Sequence, residues 1–330
     1  VAQQYLFHPY RQAEGLSNLS ITSLAFDQQG FLWVTTQNGV FRFLGTDLES
    51  FGPEQGVLEQ QANQAFVNTD GSVWVGTGRT LYRWNGERFS PVTSTPLGIN
   101  SEHAIASDGV GALLIVSNGQ LLRLTYRADG VVTSNAPVLP ASLLSTDSSL
   151  NALGIITKAA DGALWASCGT GLCSFYQPGT DHSRLQHWGP AQGLPGEHIS
   201  ALLATPAGAL WLTTQHHVLE LPPGGSLFLD RTPPSLDANR MYDMLPIALD
   251  PQGRVIVSAA DGLARWDGHN WQHIGPQNGL LSTHITALTF DSAGELWLGS
   301  TGHGLSHWVG YNTWDAFTDL QGLPSANIWS

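Results

Sequence analysis

The stretch Asp291-Ser292-Ala293-Gly294-Glu295-Leu296-Trp297-Leu298-Gly299 holds the pattern on which the whole chain is built. Its Asp-x-x-Gly step is a tight hairpin turn, because Asp accepts hydrogen bonds from its own backbone and Gly takes a positive φ without penalty. The apolar run that follows is a strand, and the alternating Ile285-Thr286-Ala287-Leu288-Thr289-Phe290 before it is another. Six further copies lie at residues 27–34, 70–77, 111–115, 161–165, 207–211 and 250–256, the third and sixth being degenerate. The position of the tryptophan reads Trp33, Trp74, Leu114, Trp165, Trp211, Ile256 and Trp297, at intervals of 41, 40, 51, 46, 45 and 41 residues.

A repeat of this length is one supersecondary unit that cannot bury both its faces alone. Four strands fit within it. In the first copy Ile21-Thr22-Ser23-Leu24-Ala25-Phe26 is strand a and residues 32–35 are strand b. A turn at Gln37-Asn38-Gly39 leads to strand c at residues 40–43, and residues 48–51 form the outer strand d. A Gly-Leu step, as at Gly15-Leu16, Gly193-Leu194, Gly279-Leu280 and Gly322-Leu323, then delivers the chain to the next unit. Seven such units stack radially into an all-β fold, a seven-bladed β-propeller of four-stranded antiparallel blades. Trp33, Trp74, Trp165, Trp211 and Trp297 then wedge between neighbouring blades and are structural.

Composition agrees with short strands and tight turns: 37 Gly, 18 Pro and only 12% charged residues. With 13 Lys plus Arg against 26 Asp plus Glu the net charge is −13, and Lys158 is the single lysine. Such a surface repels nucleic acid and anionic lipid headgroups, and no apolar run reaches the length of a membrane span. Tyr5-Leu6-Phe7-His8 and Trp314-Asp315-Ala316-Phe317 both read as a strand d, so residues 5–8 are expected to close the ring on the last blade. The expected organisation is a single propeller over residues 1–330. Residues 318–330 read as the opening of a further repeat, and the chain as a piece of a longer protein.

The runs GLSNLSITSLAFDQQGFLWVTTQNGVFRF (residues 15–43) and GLLSTHITALTFDSAGELWLGSTGHGLSHW (residues 279–308) resemble the two-component-regulator propeller repeat. The resemblance implies an extracytoplasmic or periplasmic sensor region of a membrane-anchored bacterial receptor whose kinase or cyclase output lies elsewhere. It supplies no catalytic residues. By analogy with related receptors it suggests a small polar or carbohydrate ligand and leaves a homodimer open.

In a propeller the d-to-a and b-to-c loops gather around one mouth of the central channel. Counting thirteen residues back from each tryptophan position gives Ser20, Gln61, Ser101, Ala152, His198, Asp243 and His284, and the turns of blades five and seven add His216, His217 and His303. These polar residues are the candidate ligand contacts, with specificity expected in blades five to seven. His198, Asp243 and His284 are also a secondary candidate for a divalent metal, although no cofactor is required. Polar strand starts at a solvated mouth are equally expected with no ligand at all. Asp27, Asp70, Asp161, Asp250 and Asp291 recur as turn residues on the opposite face, and no nucleophile elbow or metalloprotease motif is present. The propeller itself therefore reads as non-enzymatic, the alternatives being a metal-dependent propeller lyase or a protein-interaction scaffold.

Cys168-Gly169-Thr170-Gly171-Leu172-Cys173 spans the b-to-c turn of blade four. A four-residue loop would set the sulfurs opposite each other for a disulfide. The register pairing Cys168 with Gly171 would leave both thiols free. Residues 133–149 and the segment from Pro222 to Pro234 read as long inter-blade connections.

Overall fold

The computed structural model describes residues 4–93, 96–176, 184–236 and 245–311. These residues form seven four-stranded sheets. In blade one, strands a to d are Ile21–Phe26, Leu32–Thr36, Gly39–Phe43 and Leu48–Phe51, all paired antiparallel. First strands of adjacent blades touch around the axis, blade one meeting both blade two and blade seven. The ring is closed by Leu6–Tyr10, which pairs with Gly304–Val309 as the outer strand of blade seven, from Leu6 opposite Val309 to Tyr10 opposite Leu305. Closure thus uses the segment expected, extended two residues further. The proposed counterpart at residues 314–317 and the repeat opening at 318–330 lie outside the described residues.

The tryptophan positions explain why the blades stack. Trp33 is fully buried among Val73, Val75, Tyr82 and Phe89 of blade two, and Trp297 packs on Val34 and Phe41 of blade one. Leu114 and Ile256 occupy the same niche, facing Leu164 of blade four and Leu296 of blade seven. In blades one and seven the indole is tied to the turn aspartate. Asp27 Oδ1 accepts from the N–H groups of Gln29 and Phe31, and its Oδ2 accepts from Trp33 Nε1 at 2.8 Å. Asp291 holds Trp297 in the same way at 3.0 Å. The carboxylates are therefore spent on the turn and the indole.

The Gly-Leu step is a short 3-10 turn capped by a left-handed glycine. At Pro53–Gln55 the Gln55 side chain accepts from the Gly52 N–H at 3.0 Å, and Gly56 follows with φ 95°. A Cβ on Gly56 would stand 2.0 Å from the Phe89 carbonyl oxygen of the next blade's outer strand. Gly15, Gly193 and Gly279 meet the carbonyls of Leu48, Phe228 and Tyr5 in the same fashion. The residue after each, Leu16, Val57, Leu194 or Leu280, is buried.

Two connections differ from expectation. Pro222-Pro223-Gly224-Gly225 is not an inter-blade link. It lies between strands c and d of blade five, Val218–Leu221 and Leu229–Asp230, because the outer strand re-forms after it. Residues 133–137 likewise belong to the outer strand of blade three, Val132–Pro137; the connection proper carries a helix, Ala141–Thr146, and a 3-10 turn, Ser148–Asn151. No helix among the described residues is long and apolar enough to cross a membrane.

Candidate functional site

Blade three breaks the pattern where the pattern matters most. Its first strand is only Ile105–Ser107, and Ser101-Glu102-His103-Ala104 turns into the channel instead of running along it. Blade two's Gln64, itself buried, accepts from the N–H groups of Ala104 and Ile105 at 3.0 and 3.1 Å. On the other side the His103 carbonyl accepts from Ile156 of blade four at 2.8 Å. The turn is therefore fixed from both sides, and it divides the channel. Above it lies a cavity of about 440 Å³ and below it one of about 880 Å³, and Glu102 lines both.

The upper cavity is walled by side-chain amides of Gln37, Gln61, Asn63, Asn100 and Asn118, with Ser101, Ser200 and His198, over a floor made by Glu102. Gln61 donates to Asn63 Oδ1 at 3.1 Å, and Asn63 donates to the Ile99 carbonyl at 2.6 Å, so the amides are pre-oriented. Asn118, φ 49°, is the one non-glycine residue with positive φ among those described, and with Gly119 it makes the two-residue hairpin turn that reaches the rim. Glu102 is only 10% exposed, and burial holds its carboxyl well above the usual range, favouring the uncharged acid. His103 is pushed down to about 4 by burial. Its ring keeps 30% exposure because it borders the lower cavity, but Nε2 is enclosed and unpartnered, 3.7 Å from Glu102 Oε1. Burial thus favours the uncharged form of both side chains.

The candidates read from the sequence divide. Gln61, Ser101 and His198 line the upper cavity. Ser20 and His284 do not; their backbone carbonyls accept from Gln37 and Thr301, holding the b-to-c turns of their own blades, as does Ala152 from Gly169. Asp243 lies outside the described residues, and with it the triad suggested for a metal. His216 and His217 stand 3.2 and 3.4 Å from the carboxylate of Glu197, the residue before His198, and Thr214 Oγ1 donates to the same carboxylate at 2.6 Å. Burial opposes ionisation of Glu197, but the Thr214 hydroxyl and the two imidazoles outweigh it and hold the carboxyl below its usual value. His303 is exposed, with Nδ1 3.2 Å from the Thr301 carbonyl. Among the described residues the cavity is thus built by blades one to five, where the sequence pointed to five to seven.

Glu102 and Glu197 were missed. Glu102 sits in the degenerate blade, where a count from the tryptophan position assumes a strand that is not there. Glu197 immediately precedes a position that was counted, and its value depends on histidines twenty residues away.

Two described groups have metal-ligating atoms within 4.8 Å of one another. In one, the oxygens of Asp291 and Glu295 are already occupied by Trp297, Gly310, His307 and the turn N–H groups. The other contains Cys168 and Cys173, which form a disulfide. The register pairs Cys168 with Gly171, the alternative expected to leave the thiols free, yet the Cα atoms are 5.9 Å apart and the sulfurs bond. The turn is two residues, not four. Both cysteines face the same side of the sheet as diagonal neighbours, and Gly171 presents no side chain between them.

Comparison with known proteins agrees with this architecture. Residues 15–38 and 279–302 match the model of the two component regulator propeller, so the chain carries repeats of that type. No curated protein matches the chain in sequence. The extracellular domain of a hybrid two component system, BT3049 from B. thetaiotaomicron, superposes with a TM-score of 0.71 at 20% identity, over 92% of this chain and 41% of that one. Virginiamycin B lyase from Staphylococcus aureus gives 0.66 at 13% identity, over 92% and 99%. PorZ, a surface component of the type-IX secretion system of Porphyromonas gingivalis, gives 0.63 at 16%, over 93% and 48%. At these identities the likeness is one of fold, and the chain spans about two fifths of the length of the first of these proteins.

Proposed function

We propose that the chain is the extracytoplasmic ligand-binding propeller of a bacterial signal-transduction receptor, and that it recognises a small, neutral, hydroxyl-rich ligand such as a carbohydrate. The observation that carries this reading is the upper cavity. Five amides and three hydroxyls offer donors and acceptors in quantity, no Lys or Arg lines the walls among the described residues, and the carboxyl at the floor is biased toward its uncharged form. Such a surface pairs with hydroxyls and has no strong attraction for an anion. The repeat type, the fold shared with the extracellular domain of a hybrid two component system, and the Cys168–Cys173 disulfide support a sensor outside the cytoplasm. A homodimer of the full receptor, left open by the sequence, is compatible with this proposal.

The test is a thermal-shift panel of neutral oligosaccharides, uronic acids and divalent cations on the purified chain, since a ligand of the folded state raises Tm. Neutral sugars are expected to give the shift, and Gln61→Ala with Asn100→Ala to remove it without lowering the unliganded Tm by more than a few degrees. A shift by cations or anionic sugars alone, or one indifferent to both substitutions, would refute the reading.

A further inference from the structure

The connection between blades three and four brings Asp147 to the outer strand of blade four, Arg184–Trp188. Asp147 Oδ1 accepts from the Ser149 N–H and hydroxyl at 3.1 and 2.6 Å, which fixes its orientation. Its Oδ2 stands 2.7 Å from His187 Nε2, and His187 Nδ1 stands 3.3 Å from Cys173 Sγ. A carboxylate, an imidazole and a sulfur are thus in line, and the sulfur is one half of the Cys168–Cys173 bond. We propose that this bond is a redox-active disulfide, opened by a small dithiol and reclosed by the corresponding disulfide, with His187 receiving the departing Cys173 sulfur.

The fold does not depend on the bond. Ser167 opposite Leu172 and Cys168 opposite Gly171 are paired through the backbone, so the hairpin stays closed when the sulfurs part. The surroundings also give the reaction a direction. Cys173 is fully enclosed, whereas Cys168, 5% exposed, adjoins the exposed turn residues Gly169 and Thr170. A thiolate of the dithiol attacks Cys168 Sγ, a mixed disulfide forms, and the Cys168–Cys173 bond breaks with its electron pair on Cys173 Sγ. His187, protonated at both nitrogens, donates from Nδ1 to that sulfur, and Asp147 accepts from Nε2. The second thiol of the reagent then attacks the mixed disulfide. The Cys168 thiolate leaves and takes a proton from water, and the reagent becomes a cyclic disulfide and gives its other proton to solvent. Two electrons and one proton have passed to the protein, Cys173 staying a thiolate paired with the His187 imidazolium. The hydrogen bonds from Ser149, and the His187 ring, hold the Asp147 carboxyl below its usual range despite some desolvation, so it stays an acceptor. A cationic imidazole beside a thiolate stabilises the reduced form and makes the disulfide more oxidising.

Blade six supplies an internal control. His273 stands opposite Ala264, with Nε2 2.8 Å from Asp261 Oδ1, and no sulfur is there. The experiment equilibrates the whole chain with reduced and oxidised dithiothreitol, quenches with acid, alkylates the unfolded protein and counts free thiols by mass spectrometry. A chelator is present, because two thiolates and His187 would also form a soft-metal ligand set. His187→Ala and the shape-keeping His187→Gln are expected to lower the equilibrium constant for reduction about tenfold, equivalent to about 30 mV for a two-electron couple. Asp147→Asn, which removes a positioning residue, should shift it the same way by less, and His273→Ala should leave it unchanged. Circular dichroism should show the reduced protein still folded. If reduction unfolds the chain, or if the His187 and Asp147 variants are reduced with the wild-type constant, the proposal fails.

Discussion

Glu102 and His103 are adjacent, and burial pushes their ionisation in opposite directions, so their effects on stability oppose one another. Glu102 is raised: between the unfolded value near ~4.3 and its folded value, the native state keeps a proton that the unfolded chain has lost. Stability therefore falls as pH rises through that window. His103 is lowered from 6.5 to about 4, so between those values the unfolded chain holds the proton and stability rises with pH. Each slope is at most ~1.4 kcal/mol per pH unit, and the two offset one another where their windows overlap. Urea unfolding at fixed pH separates them. Glu102→Gln should gain on the wild type as pH rises above the unfolded carboxyl value, and His103→Gln should gain as pH falls from 6.5 to about 4. Gaps that stay constant with pH would show that neither group is desolvated as described. The tryptophan wedge is a simpler case. Trp297 is 4% exposed, stacks on His307 at 4.1 Å and donates to Asp291, so Trp297→Ala should cost about 3–5 kcal/mol in the same assay.

At the scale of the element, the corner between blades separates two reasons for a glycine. Gly56 and Gly86 have nearly the same backbone, φ 95° and 102°, but a Cβ on Gly56 would collide with the Phe89 carbonyl while one on Gly86 meets nothing. Gly86→Ala should cost about 1–2 kcal/mol for the left-handed backbone alone. Gly56→Ala should cost clearly more, at least ~1 kcal/mol beyond it, because backbone of the next blade must move. Equal melting temperatures for the two variants would mean that the corner is not held by this contact. Such corners were legible in the sequence because turn chemistry is local: an Asp, a Gly and an apolar residue at fixed spacing specify the hairpin, the corner and the wedge. The candidate site was legible only in part. Gln61 and His198 could be found by counting, since their strands start where the repeat says, and Ser101 because the same count falls on the turn that replaces the strand start. Glu102 could not, because the turn that carries it is held by Gln64 and Ile156 of other blades. The cysteine register likewise hinged on the missing side chain of Gly171, which no count of loop length reveals.

On the scale of the whole molecule the ring is held shut by one short strand. Leu6–Tyr10 supplies the outer strand of the blade that also carries Trp297 and Trp308, and it buries Phe7 against Trp308 and Tyr10 against Phe43 and Trp297. Without it, Gly304–Val309 becomes an open edge beside uncovered aromatic rings, a template for pairing with another chain. The loss of two buried aromatic side chains alone is worth about 5 kcal/mol or more, comparable with the entire stability of an ordinary domain. Removal of residues 1–10 should therefore do more than lower the melting temperature by a few degrees. It should yield a chain that associates through blade seven, eluting as dimers and larger species and unfolding over a broader urea range than the intact protein. The full-length double variant Phe7→Ala, Tyr10→Ala keeps the backbone pairing while removing the rings. It should keep the oligomeric state of the intact protein but unfold at lower urea, which distinguishes loss of packing from loss of the closing strand. A truncated chain with the oligomeric state and the urea midpoint of the intact protein would show that the blades cohere through their tryptophan wedges alone and that closure adds nothing.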